Sequence, residues 1–344
     1  MHRRALPAAV LAVAALVAAG CGGASDSSGT ATAASDGGKT KLALVAYSTP
    51  QVVYDQAIPA FQKTPAGAGV GFSESFGASG DQSRAVEAGQ AADVVEFSLA
   101  PDMQRLVKDG LVASSWDAGP NHGFVTDSVV VFVVRKGNPK HIQTWQDLLR
   151  PGVKVLTPNP FSSGSAKWNL MAAYGAQVKQ GRTPAQALAY LKELITKHVT
   201  VQDKSGRDAL QDFTSGNGDV LLSYENEAIT AQQKGQNVDY VIPDDTILIQ
   251  NPLAVVKTSK HLAQARAFAR YLWSPAGQRI FAEHGYRPVE EAVFAQYAAR
   301  FPTPKGLFTI DDLGGWTKVN AAFFDPAKGS VAKIETAAGV STAK

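Results

Sequence analysis

Apolar residues in this chain come in short dense runs. A polar turn follows each run, and then a segment whose apolar positions recur three to four apart. Lys41–Tyr47 reads as a strand and Gln51–Phe61 as the helix after it. Val70–Ser75 is a second strand, followed by Phe76-Gly-Ala-Ser-Gly80 and a helix from Asp81 to about Ala88. Asp93–Phe97 is a third, followed by a helix over Asp102–Asp109. The run Val129-Val-Val-Phe-Val-Val134 within Ser128–Arg135 lacks alternation, as a strand buried on both faces does. The pattern then starts again. Lys154–Leu156, Val199–Gln202 and Asp219–Ser223 are strands, and helices follow from Ala166, from about Asp208 and after Tyr224. Pro184–His198 is helical with Leu188, Leu191 and Ile195 on one face. Thr246–Val256 is extended, and Leu262–Trp273 and Pro275–His284 are helices. Strand–helix alternation of this kind predicts parallel sheets with helices on their faces. Ligands in such sheets bind beyond the carboxyl ends of the strands.

Those ends carry a shared device. Ser75–Asp81, Ser162–Ala166 and Ser205–Asp208 each follow a strand, contain Ser and Gly, and open a helix. The first N–H groups of a helix lack partners within it, and the helix dipole makes that end positive. An ordinary N-cap needs one serine. Three serine- and glycine-rich helix starts in one chain suit a tetrahedral anion better. Each charge-assisted bond is worth roughly 1.5–3 kcal/mol net, and micromolar binding needs about 8 kcal/mol. Glu225 and Glu227 are two apart, a poor catalytic pair, and read as first-turn acids favoured by the dipole.

Length and composition divide the chain. His2, Arg3 and Arg4 precede an apolar run, Ala5 to Ala19, too short to span a membrane. Val17-Ala-Ala-Gly-Cys21 follows, which resembles a lipoprotein lipobox, and Cys21 is the chain's single cysteine. Residues 1–20 are thus expected to be a lipoprotein signal and Cys21 the lipidated residue, holding the protein on the outer face of the cell membrane. Residues 21–40 are small and polar, a tether of roughly 60 Å at about 3.3–3.6 Å per residue. One cysteine excludes an intramolecular disulfide and a cysteine-based metal site. The formal charge is +3, of which Arg3 and Arg4 carry two, leaving a near-neutral body that argues against nucleic-acid binding. There is no Walker-type phosphate loop, the His residues have no paired metal spacing, and neither a metal nor a cofactor is expected.

Several runs resemble the bacterial sulfate-binding proteins of ABC importers. They are Gly77-Ala-Ser-Gly80, Ala92-Asp-Val-Val95, Val133-Val-Arg-Lys-Gly-Asn-Pro139, Leu156-Thr-Pro-Asn-Pro-Phe-Ser-Ser-Gly164, Gly218-Asp-Val-Leu-Leu222, Glu225-Asn-Glu-Ala228, Tyr286-Arg-Pro288, Phe308-Thr-Ile-Asp311 and Gly314-Gly-Trp-Thr-Lys318. The resemblance spans about residues 41 to 325. It implies an α/β fold of the type II periplasmic-binding-protein kind: two lobes, each a mixed, mainly parallel sheet flanked by helices, joined by crossing strands at which they hinge. Lobe 1 is expected to comprise 41–128 and 250–329, lobe 2 to comprise 129–249, and 330–344 to be a flexible tail.

Carried over by position, the resemblance assigns sulfate contacts to the backbone N–H of Ser79, the hydroxyl of Ser163, the N–H groups of Gly164 and Ser165, and the N–H of Gly206. The last donor falls on Tyr224, where sulfate-binding relatives have a Trp. Ser48, where relatives often have Asp, and Arg207 are expected beside the site rather than on the anion. The partners implied are sulfate or thiosulfate, a permease driven by an ATPase, and the membrane through the lipid; a monomer is expected. A receptor for thiosulfate or another tetrahedral oxyanion is the close alternative, and a secreted serine hydrolase the alternative from another class.

Overall fold

The computed structural model describes residues 40–342. The expected signal, Cys21 and all but the last residue of the tether lie outside that range; Thr40 already belongs to the first strand. Among the described residues, no helix is long and apolar enough to cross a membrane.

Strands β1 (Thr40–Tyr47), β2 (Val70–Gly77) and β3 (Val94–Glu96) are parallel, with β1 in the middle. The long strand β4 (Phe124–Arg135) leads away from them. Strands β5 (Val155–Leu156), β6 (Val199–Val201) and β7 (Val220–Tyr224) are again parallel, with β5 in the middle. Strand β8 (Val238–Val241) pairs with β4, and β9 (Leu248–Val255) runs back. The two-residue strand β10 (Arg287–Pro288) pairs with β4 at Thr126 and Asp127. The order along the sheet is β2-β1-β3-β9-β4-β7-β5-β6. The lobes thus have the same plan: three parallel strands closed by one antiparallel strand whose chain crosses from the other side. β9 closes the first lobe against β3, and β4 closes the second against β7. β4 and β9 pair with each other at the junction, where the sequence placed crossing strands.

β4 reads as an unbroken apolar run because it is covered on both faces: Val129 through Val134 are all buried. Leu42, Val53, Phe72, Phe268 and Phe281 form the core of the first lobe. Phe132, Trp145, Trp168, Leu191 and Leu222 anchor that of the second. Burying each such side chain contributes roughly 1.5–3 kcal/mol.

The end of the chain departs from expectation. The sequence places residues 250–329 in lobe 1, yet Phe308, Ile310, Val319 and Phe324 sit in the apolar cluster of the second lobe with Trp168 and Leu191. The N–H of Leu248 donates to Phe308 O at 2.7 Å, so the chain crosses a third time. The stretch read as a flexible tail contains the helix Ser330–Ala337, which buries Val331 and Ile334. Its only large apolar residues are these two, three apart, too faint a stripe to read from sequence. Glu335 on the same helix is buried and accepts from Gln202 Nε2 at 2.7 Å.

Candidate functional site

All six parallel strands point their carboxyl ends at one cleft. β1 leads to Ser48, β2 to Ser79, β3 to Ser98, β5 to Ser163, β6 to Gly206, and β7 ends at Tyr224. Ser79 is the first residue of the helix Ser79–Glu87, Gly164 of Gly164–Lys179, and Gly206 of Gly206–Thr214. Ser163 occupies the N-cap position of its helix, but its side chain makes no capping bond. The helix at Ser79 follows Ala78 and is likewise uncapped by a side chain. The third start is capped by Ser205, which accepts from Asp208 N. Two of the three starts therefore leave their first N–H groups without a side-chain acceptor.

The structure brings the expected residues together, and all of Ser79, Ser163, Gly164, Ser165, Gly206 and Tyr224 are buried. Gly80 N donates to Ser162 O at 3.2 Å, which sets the first-lobe helix start against the turn of the second. Ser163 Oγ and Ser165 Oγ share a 2.7 Å hydrogen bond. A Cβ on Gly206 would lie 3.1 Å from Ser165 Oγ, so the second and third helix starts are also adjacent. A Cβ on Gly164 would collide with Leu99 Cδ2 at 2.5 Å and Ser98 Oγ at 2.7 Å; only glycine lets the β3 turn rest on this helix start.

Ser98 carries no mark in the sequence beyond its place at a strand end, yet it is the hub of the cleft. Its N–H donates to Ser79 Oγ at 3.0 Å. Its carbonyl accepts from Trp168 Nε1 at 2.8 Å and from Asn251 Nδ2 at 2.9 Å. Its hydroxyl lies 2.6 Å from Tyr224 OH. Ser79 Oγ in turn donates to Asp102 Oδ2 at 2.6 Å. The Ser79 side chain is thus used up in bracing, and only its N–H is left to face a ligand.

Ser48 and Arg207 meet. The Arg207 guanidinium reaches from the second lobe to donate to Ser48 O and Gln51 Oε1 on the first. Lys204 pairs with Asp81 across the same gap at 3.2 Å. The lobes are therefore in contact across the cleft. A cavity of about 400 Å³, lined by Thr49, Asp55, Arg207, Asn226 and Glu227 among others, adjoins these contacts.

The two first-turn acids prove more than dipole partners. Glu225 is buried and accepts from Arg287 Nε at 2.7 Å and Nη2 at 3.1 Å. Glu227 is buried and accepts from Ser223 Oγ at 2.6 Å; burial pushes its carboxyl up to about 7 despite that bond and the nearby Arg207 charge. Burial also holds the Tyr224 phenol well above its ordinary value, so it is a neutral hydroxyl.

Comparison with known proteins agrees with this architecture. Residues 42–287 match the model of the family described as bacterial extracellular solute-binding protein. This chain belongs to that family. A sulfate-binding protein of Synechococcus elongatus is 43% identical over 333 residues, covering 94% of this chain and 94% of its own. A thiosulfate-binding protein of Pseudomonas aeruginosa is 35% identical over 292 residues, covering 81% of this chain and 88% of its own. The solved structure of the sulfate-binding protein SubI from Mycobacterium tuberculosis superposes with a TM-score of 0.81 at 49% identity, covering 83% of this chain and 100% of that one. The family's two-lobe fold is the one built here from the sheet order, and each named relative is a binding protein by name.

Proposed function

We propose that this protein is an extracytoplasmic receptor that holds sulfate between its lobes and delivers it to an ABC permease driven by a separate ATPase. In this reading Ser79, Gly164, Ser165 and Gly206 donate backbone N–H groups, and Ser163 and Tyr224 donate hydroxyls. The lobes close by bending at β4 and β9, and Arg207 latches them. Cys21 carries the lipid that keeps the monomeric receptor at the outer face of the cell membrane, with residues 21–40 as its tether.

The observation that carries the reading is the junction of helix starts from both lobes, two of them uncapped by side chains, at one buried place. Sulfate at neutral pH carries no proton, so a site rich in donors satisfies it. Oriented dipoles replace its hydration without a counter-cation. The printed functions of the relatives support the same ion, and the thiosulfate-binding relative favours thiosulfate as the second ligand. No part of the proposed chemistry needs a cofactor. A serine hydrolase reading has less support, because no histidine lies among the hydrogen-bond partners of Ser79, Ser98, Ser163 or Ser165.

Calorimetry with sulfate, thiosulfate, molybdate and phosphate tests the proposal. A reversible 1:1 complex with sulfate or thiosulfate, without turnover, is expected. A covalent serine adduct with an ester probe, and no heat with any oxyanion, contradicts it.

A further inference from the structure

The hinge strands β4 and β9 have a cavity on the face turned away from the cleft. Successive side chains on a strand point to opposite faces. Asn251 of β9 points to Ser98 in the cleft, so its neighbour Gln250 points the other way. A cavity of about 390 Å³ lies there, a size that holds small molecules. In the strand register Asp127 of β4 stands between Gln250 on β9 and Arg287 on β10, and all three line the cavity. Phe124, Leu248, Phe294 and Leu307 supply apolar walls. Phe124 meets Trp116 edge to face, and Trp116 packs on a core cluster of the first lobe. Leu307 packs on a core cluster of the second. Residues tied to both lobes therefore wall the cavity.

Asp127 stands out among them. Its Oδ1 is buried and has no hydrogen-bond partner. The neighbouring arginine is committed elsewhere: Arg287 forms its ion pair with Glu225 at 2.7 Å and donates from Nη2 to Pro302 O at 2.9 Å. Burial pushes the Asp127 carboxyl up to about 7, although the Arg287 charge draws it down. A buried carboxylate oxygen without a donor is costly, and its persistence calls for a partner. Glu291 adds a second acid to the lining, no lysine belongs to it, and Glu225 offsets the Arg287 charge. The cavity thus favours a cation. Hard metal cations need several oxygen ligands at once, and among the described residues no group of three His, Cys, Asp or Glu is placed to hold one.

We propose that this cavity is a second ligand site, which takes a small organic ammonium ion: its N–H groups donate to Asp127, and its apolar body lies among Phe124, Phe294 and Leu307. An ammonium supplies the donors that Asp127 lacks, and a charge-assisted bond of this kind is among the stronger ones. The Gln250 side-chain carbonyl is a further acceptor beside it. The faces of Phe124 and Phe294 attract a cation and cover an apolar body equally well. A free oxyanion would meet Asp127 and Glu291 here, so this site stands apart from the cleft and from the function proposed for it.

Calorimetry on the full chain at pH 8, where Asp127 is ionised, tests the inference with 2-phenylethylammonium chloride. Saturable 1:1 binding is expected. No binding is expected for 3-phenylpropanoate, which has a similar body and the opposite charge. Asp127→Asn keeps the shape and removes the charge. It is expected to weaken ammonium binding about tenfold or more, with a melting temperature no lower than that of the unaltered protein. Leu307→Trp fills the cavity and leaves the carboxylate in place, and is expected to block binding as well. No binding of the ammonium to the unaltered protein, equal affinity in Asp127→Asn, or affinity undisturbed by Leu307→Trp overturns the inference. Sulfate titrated into the unaltered protein judges the cleft separately.

Discussion

The two lobes share a plan and use it differently. Each sets three parallel strands and one crossing strand so that three turns face the cleft. In the first lobe the side chains of those turns hold each other. Ser79 is bound to Asp102 and Ser98, and Tyr286 pairs with Thr49 at 2.9 Å. In the second lobe Ser163 and Ser165 have only one another, and Tyr224 reaches across to Ser98. The first lobe is a braced wall and the second a set of hydroxyls free to turn toward a ligand. One topology therefore yields both rigidity and choice, and the difference lies in a few acids and serines at strand ends.

The contrast can be attacked in order of expected effect. Gly164→Asp places a Cβ against Ser98 and Leu99 and a carboxylate at the head of a helix assigned to an anion. Sulfate affinity is expected to fall by about 1,000-fold or more, since like charges at such a contact cost several kcal/mol. Unchanged calorimetric affinity would remove the second lobe from the site. Arg207→Ala deletes both bonds of the inter-lobe latch. A drop of about tenfold to a hundredfold is expected, mostly in the off-rate measured by stopped flow, because bonds to a charged group are worth roughly 1.5–3 kcal/mol.

A paired substitution sharpens the contrast further. Ser163→Ala removes a ligand donor and only its one bond, to the Ser165 hydroxyl, so affinity is expected to fall about tenfold with little change in melting temperature. Ser79→Ala keeps its N–H but strips Asp102 of its partner, so the ordering reverses: stability falls by roughly 1–3 kcal/mol and affinity changes less. The same response from both variants would dissolve the distinction between the lobes.

The smallest effect concerns pH. Burial pushes Glu96 in the first lobe up to about 8, and Glu227 and Glu335 on the second up to about 7, from an ordinary 4.5. The native state then holds protons that the unfolded chain has released. Stability is therefore full below about pH 4.5 for these groups and falls as pH rises through 7 and 8. The melting temperature is expected to be lower at pH 8 than at pH 5.5, and Glu96→Gln to flatten the upper part of that slope. A melting temperature that rises from pH 5.5 to 8 would contradict it.

Much of this was legible in the sequence, for a physical reason. Three of the parallel strands, β2, β5 and β6, have a turn bearing serine and glycine behind them, so their ends announce themselves at Ser79, Ser163 and Gly206. β4 was visible because burial on both faces erases alternation. Ser98 was invisible because it stands in Phe97-Ser-Leu99 without a glycine, and its importance comes from Trp168, Asn251 and Tyr224, which are far along the chain. The burial of Glu225 was hidden for the same reason: its partner Arg287 lies 62 positions away. The third crossing at Phe308 and the helix Ser330–Ala337 depend on tertiary packing that no local pattern encodes.

The central claim is that helix starts from both lobes share one ion, and a crystal structure of the protein grown with sulfate tests it most directly. The expected result is one tetrahedral ion within hydrogen-bond distance of the N–H groups of Ser79, Gly164 and Gly206 together. An ion held by lysine or arginine side chains outside the cleft, with those N–H groups facing empty or water-filled space, would contradict it.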